Sequence, residues 1–293
     1  MSYTNPQYLL TTDELETLIE AGDNRLKLFD ITVHLVPNPL GYKTVSGLDD
    51  YNKTHIPEAA FMDLVKDLSD TKSAFGFTLP KIEHLQAAYR NAGISDDSKV
   101  VFYSSGHLMW ATRAWWLLLS SGHKDVAVLD GGFRKWTSED KPTSNIAQVY
   151  EAGSFNAKFD ESKWAGKDKV VNGISDTEVC TINALSPGVY SGDADMHYGR
   201  RGHIENSKNV YYEDVLIEGC FKSAAEIETV FTEKGILNKS KIITYCGGGI
   251  SATIDTMALS LIGHEGVSVY DGSMSEWVKD ESLPLTLGKE SPD

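Results

Sequence analysis

The chain has 293 residues, 41% of them hydrophobic, and a formal net charge of −15 at pH 7, a composition that fills a core and repels nucleic acid and anionic membranes at long range. Its three cysteines, Cys180, Cys220 and Cys246, are an odd set without a CxxC pair, which argues against a disulfide framework and a zinc site. With no run of about 18 apolar residues, and no basic-then-apolar leader in the opening MSYTNPQYLLTTDELE, the expected location is cytoplasmic.

Along the chain, HIPEAAFMDL (55–64) leads into the polar loop DLSDTKSAFGFTLP and then into VVFYSSGHLMWATRAWWLLLSSGHKDVAVLDGGFRKW (100–136). The last of these reads as strand, helix and strand, with Trp110, Trp115 and Trp116 on the helix and expected in the core. The stretch 138–169 is polar and weakly periodic, as expected of a connector. Beyond it, HIENSKNVYYEDV (203–215) echoes the first His segment, and IITYCGGGISATIDTMALSLIGHEGVSVYDGSMSEW (242–277) repeats 100–136. Ala111, Thr112, Gly122, His123, Asp130, Gly131 and Trp136 recur as Ala252, Thr253, Gly263, His264, Asp271, Gly272 and Trp277, each 141 positions later. Tyr103 pairs with Tyr245 at 142 and His55 with His203 at 148, so the first copy is longer upstream of its strand.

In the second copy KIITY and GVSVYD read as strands, and Ile250, Ile254, Met257, Ala258 and Leu261 mark a helix face between them that stops at Gly263. The expected fold is α/β: two tandem domains, 1–143 and 169–293, joined by a linker over 144–168, each a mainly parallel sheet flanked by helices on both faces. Ligands in such sheets sit beyond the carboxyl ends of the strands, where Cys246 lies. Backbone amides and the positive end of a helix dipole favour a thiolate there. Gly247, Gly248 and Gly249 are expected to take positive φ and to turn the N–H groups of residues 247 to about 252 inward as an anion nest, suited to a persulfide, Cys–S–S⁻.

Rival readings of this loop are weaker. A buried structural cysteine, the reading kept for Cys180 and Cys220, gives no reason for three glycines. Gly247, Gly249 and Ala252, with Asp271 on the next strand, fit a dinucleotide fingerprint, but the first copy lacks it and the half is too small for paired mononucleotide units. A cysteine phosphatase would need Arg at position 252, which is Ala252, and a Walker loop would need Lys.

HIPEAAFMDL, LDGGFRKW, GHIENSKNV, YCGGGISAT and YDGSMSEW together resemble the two-domain rhodanese-type sulfurtransferases, the group of thiosulfate and 3-mercaptopyruvate sulfurtransferases, over nearly the whole chain. The resemblance implies a catalytic Cys246 in the C-terminal domain and a persulfide-holding loop of Gly247, Gly248, Gly249, Ile250, Ser251 and Ala252. Ser104 stands in the cysteine's place in the first domain. It further implies transfer of a sulfane sulfur from a small anionic donor, thiosulfate or 3-mercaptopyruvate, to cyanide, a thiol or a reduced protein, with no metal or organic cofactor. The alternative is a persulfide carrier or sensor module without turnover.

Departures from the family bear on the donor. Thiosulfate-type loops carry basic side chains where this one has Gly247 and Gly248, and mercaptopyruvate-type loops carry a hydroxyl where Gly248 stands. The His and Asp that pair with that hydroxyl fall near Phe77 and Val65, which favours thiosulfate slightly. The family's substrate-binding Arg is absent from INALSPGVYSG, leaving Arg200 and Arg201 in HYGRRGHI as the expected substitutes. Ser251 is expected to cap the helix after the loop. His55, His203, Asp130, Asp271, Trp136 and Trp277 recur in both copies, only one of which has the thiol, and so are expected to serve the fold.

Overall fold

The computed structural model describes residues 2–38 and 41–289. Two five-stranded parallel sheets carry the chain. In the first, the order across the sheet is Ala59–Phe61, Leu26–Asp30, Lys99–Tyr103, Val126–Leu129, Leu9–Leu10; in the second it is Lys208–Asn209, Val179–Asn183, Lys241–Tyr245, Val267–Tyr270, Trp164–Ala165. Numbered within each half, the two orders are the same, which is the structural form of the sequence repeat. The central strands are almost wholly buried, as β-branched and aromatic runs covered by helices on both faces must be.

The helices after the central strands, Met109–Ser120 and Ala252–Leu261, pack against one another between the sheets. Thr112 and Thr253, equivalent positions of the repeat, meet there through their hydroxyls at 2.7 Å. A residue touching its own counterpart lies on the pseudo-twofold axis relating the halves. Trp110, Trp115 and Trp116 are buried on this first helix, as expected. The repeated aspartates close the interface from both sides: Asp130 accepts from the Phe221 N–H (2.9 Å), and Asp271 accepts from the Leu79 N–H (2.7 Å).

The other repeated residues serve each half alike. His55 stacks on Tyr51 and His203 on Tyr190, each with Nδ1 against its neighbour's carbonyl. The indoles of Trp136 and Trp277 donate to Pro142 and Pro284 carbonyls. Residues 144–168 do not all behave as a linker. Tyr150 and Phe155 pack on the first domain, and Trp164–Ala165 is the outer strand of the second sheet, pairing with Val269 and Tyr270. The unexpected element is a hairpin, Val33–Asn38 with Gly41–Ser46, which leaves the first sheet after its central region.

Candidate active site

The strand Lys241–Tyr245 delivers Cys246 to its carboxyl end, directly before the loop 247–251 and the helix Ala252–Leu261. Cys246 is 2% exposed, and its Sγ accepts no hydrogen bond among the described residues. The loop's carbonyls, by contrast, are committed. Met274 N–H takes the Cys246 carbonyl (3.0 Å), and Ser275 takes the Gly247 carbonyl through both its N–H (2.9 Å) and its hydroxyl (2.7 Å). Arg113 Nη1 donates to the Gly249 carbonyl (3.1 Å), Thr253 N–H to that of Ile250 (2.9 Å), and Ile254 N–H to that of Ser251 (3.0 Å).

A trans peptide places its N–H opposite its C=O. Pinning these carbonyls into the protein therefore turns the N–H groups of Gly247, Gly248, Ile250, Ser251 and Ala252 the other way. Among the described residues no protein acceptor takes the N–H of any residue from 247 to 252, and all of these except Gly248 are buried. A row of buried donors without acceptors is costly in an empty fold and favourable once an anion fills it. The Cys246 N–H itself goes to Ser273 Oγ (3.1 Å), a serine held at φ +47°.

The glycines differ from expectation. Only Gly249 of the three has positive φ, +72°, and a Cβ there would come within 2.7 Å of the Asp271 carbonyl oxygen. Gly247 is needed for close approach instead, since a Cβ on it would overlap the phenol of Tyr198. At Gly248 neither dihedral nor space demands glycine; the nearest atoms to a Cβ are the Gly76 carbonyl at 3.8 Å and Ser275 Oγ at 4.0 Å. Ser251 also departs from expectation: it sits at the N-cap in right-handed helical conformation and its side chain makes no capping hydrogen bond.

Arg200 and Arg201 are both engaged by backbone carbonyls. Arg200 donates to the Asp280 and Leu283 carbonyls (3.0 Å each), and Arg201 to the Gly192 (3.1 Å) and Ala194 carbonyls, with Asp195 beside it. Both guanidiniums tie the chain's own backbone together. The cation behind the loop is Arg113, 1% exposed, which bonds the Gly249 and Phe77 carbonyls and pairs with Asp271 at 2.6 Å. Phe77, near the place of the family's His, offers its carbonyl to Arg113 at φ +61° and lays its ring on Trp110. Val65, aligned near the Asp, packs against the first core.

Tyr198 and Tyr212 complete the surroundings. Burial, and then a negative charge on Cys246, holds the Tyr198 phenol well above its ordinary range, and burial chiefly does the same for Tyr212. Both therefore stay neutral beside an anionic sulfur. Tyr198 Oη has no hydrogen-bond partner among the described residues, so its O–H is open to a bound group. A repeat search does not find Tyr198 or Arg113, because neither recurs in the other copy.

Rhodanese-like domains match residues 11–139 and 190–280. The chain is 31% identical over 238 residues to the 3-mercaptopyruvate sulfurtransferase of Escherichia coli, covering 80% of this chain and 84% of that protein. It is 32% identical over 234 residues to the thiosulfate sulfurtransferase of Cricetulus griseus, covering 78% of each. Among solved structures, the 3-mercaptopyruvate sulfotransferase SseA from Escherichia coli superposes with a TM-score of 0.80 at 28% identity, over 91% of this chain and 98% of that one.

Proposed function

Because the chain belongs to the rhodanese family of sulfurtransferases, we propose that Cys246 carries a sulfane sulfur as a persulfide between a small anionic donor and a thiophilic acceptor. The carrying observation is the polarised loop: carbonyls of residues 246, 247, 249, 250 and 251 bonded into the protein, and the N–H groups from 247 to 252 left without acceptors among the described residues. In the first half-reaction the Cys246 thiolate attacks the outer sulfur of the donor. The donor's bond to that sulfur breaks, and sulfite, or pyruvate from 3-mercaptopyruvate after protonation at carbon, leaves with the electron pair. In the second, cyanide or a thiolate attacks the terminal sulfur and Cys246 departs as thiolate. The persulfide's charge lies one bond further into the loop than the thiolate's, where preorganised donors stabilise it without reorganising.

Thiosulfate is the favoured donor, since position 248 has no hydroxyl for the relay of mercaptopyruvate-type loops. The relatives carry both names. Intact mass after incubation with each donor tests the reading. Wild type is expected to gain one sulfur atom, lose it to cyanide, and gain it faster from thiosulfate; Cys246→Ser is expected to gain none. An unmodified wild-type mass after both donors overturns the assignment, and single uptake without repeated turnover assigns the protein as a carrier.

A further inference from the structure

A cavity of about 550 Å³ opens at the amino ends of the strands Lys241–Tyr245 and Val267–Tyr270, whereas Cys246 follows the carboxyl end of the first, about 16 Å further along at the rise of a strand. Its apolar lining includes Val179, Ile243 and Val267, and its cations are Lys163, Lys169 and Lys241. Lys163 is held over the Trp116 ring, its Nζ 5.2 Å from the ring centre and 3.9 Å from Asp160. Lys169 Nζ donates to the Trp164 carbonyl and the Ser268 hydroxyl, both at 3.3 Å. Neither Lys169 nor Lys241 pairs with a carboxylate among the described residues, in a chain with 42 acidic and 27 basic side chains. The carboxylates of the lining are Asp176, which takes the Glu178 N–H (2.9 Å), and Glu265, which is exposed. Burial, and then the like charge of Lys241, hold the Lys169 ammonium below its ordinary range, as neighbouring cations without a counter-charge require.

The first copy is built differently at this place. Leu10 pairs with Leu129 and Ala165 with Tyr270, and each of these outer strands runs directly into the N-cap of a helix, Thr11 or Gly166. That register places Lys169 on Glu14 and Gly173 on Leu18, each 155 positions apart like Leu10 and Ala165. Glu14 is engaged in the capping box with Thr11, and Leu18 packs against the core of the first domain. In the second copy the charge is reversed and the leucine is missing. A Cβ on Gly173 would meet Val179 Cγ1 (3.0 Å) and Ile243 Cδ1 (3.7 Å), so a side chain there would lie over the apolar lining, while the backbone at 173 is outside the left-handed region that favours glycine. We propose that this cavity binds a small organic anion with an apolar body, an aryl- or alkyl-carboxylate, its charge met by Lys169 and Lys241 and its body by Val179, Ile243 and Val267. The anion supplies the charge that the lysines lack, and the volume is that of an ordinary small-molecule site. The ligand is not the sulfur donor, because Cys246 lies at the other end of the strand.

The test titrates the whole protein with 4-phenylbutyrate and follows proton–nitrogen correlation spectra. The amides of Lys169, Gly173, Lys241 and Ile243 are expected to shift saturably. Lys169→Glu and Gly173→Leu, each installing the residue of the first copy, are expected to weaken the probe about tenfold, as the loss of one charge-assisted contact or of the space for the body would. Lys169→Glu alters an exposed side chain and keeps the test available if Gly173→Leu folds poorly. Two further probes divide the ligand: 4-phenylbutanol has the body without the charge and acetate the charge without the body, and each is expected to bind about tenfold more weakly than 4-phenylbutyrate. Cavity amides that do not move, shifts confined to residues 247 to 252, an affinity unchanged by Lys169→Glu, or equal affinity for the charged and uncharged probes would each overturn the proposal. No sulfur transfer is involved, so the result stands apart from the assignment of Cys246.

Discussion

The strands Lys99–Tyr103 and Lys241–Tyr245 end at equivalent points of the repeat, and the next residues, Ser104 and Cys246, are equally buried at 2% exposure. The turns beyond them differ. In the first copy Thr32 Oγ1 takes the Ser105 N–H (2.7 Å), Ser104 Oγ takes the Gly106 N–H (3.0 Å), and His107 Nδ1 takes the Met109 N–H (3.1 Å). In the second no side chain comes to the amides of 247 to 252 among the described residues. The fold thus has an inexpensive way to satisfy this turn and uses it only where there is no thiol. Buried polar groups are ordinarily paired, so withheld pairing marks a place prepared for a ligand more clearly than burial does.

That comparison can be broken in graded ways. The largest effect is expected at Arg113, which holds the Gly249 carbonyl outward and neutralises Asp271 across the interface. Arg113→Met leaves that carboxylate without its partner and is expected to cost about 3 kcal/mol of stability, read from denaturant midpoints, together with sulfur uptake. Next comes Gly247→Ala. Its Cβ must displace the Tyr198 phenol and shift the donors beside it, and uptake from thiosulfate is expected to fall about 100-fold with the fold retained. The smallest effect is a deliberate null. Placing the thiol in the other copy, as Ser104→Cys in a Cys246→Ser background, is expected to yield no persulfide, because Thr32 already holds the Ser105 amide. Uptake there, judged by mass, would show that the position in the sheet suffices and the free amides do not matter.

Much of this was legible in the sequence. The repeat, the strand before the thiol, the helix after it and the structural roles of His55, His203, Trp136 and Trp277 depend on local pattern and on comparison of the two copies, and both survive in the linear chain. The reasons for the glycines were not legible: Gly247 is required by Tyr198, a residue from a distant loop. Arg113 sits in an apolar helix, and its partners Phe77 and Gly249 are 36 and 136 residues away. The partners of Arg200 and Arg201 were hidden for the converse reason. Their charge is visible in the sequence, but the backbone carbonyls that absorb it appear only once the chain is folded. The strand Trp164–Ala165 is two residues long, too short for periodicity to reveal inside a polar stretch.

The most direct measurement tracks the loop amides by proton–nitrogen correlation spectra as thiosulfate, or 3-mercaptopyruvate if that loads better, is added and cyanide then removes the sulfur. The account predicts that the N–H resonances of residues 247 to 252 move downfield together as the persulfide forms, return with cyanide, and stay fixed in Cys246→Ser, while those of Ser105 and Gly106 do not respond. A persulfide that forms by mass while the 247 to 252 resonances remain unmoved would contradict it.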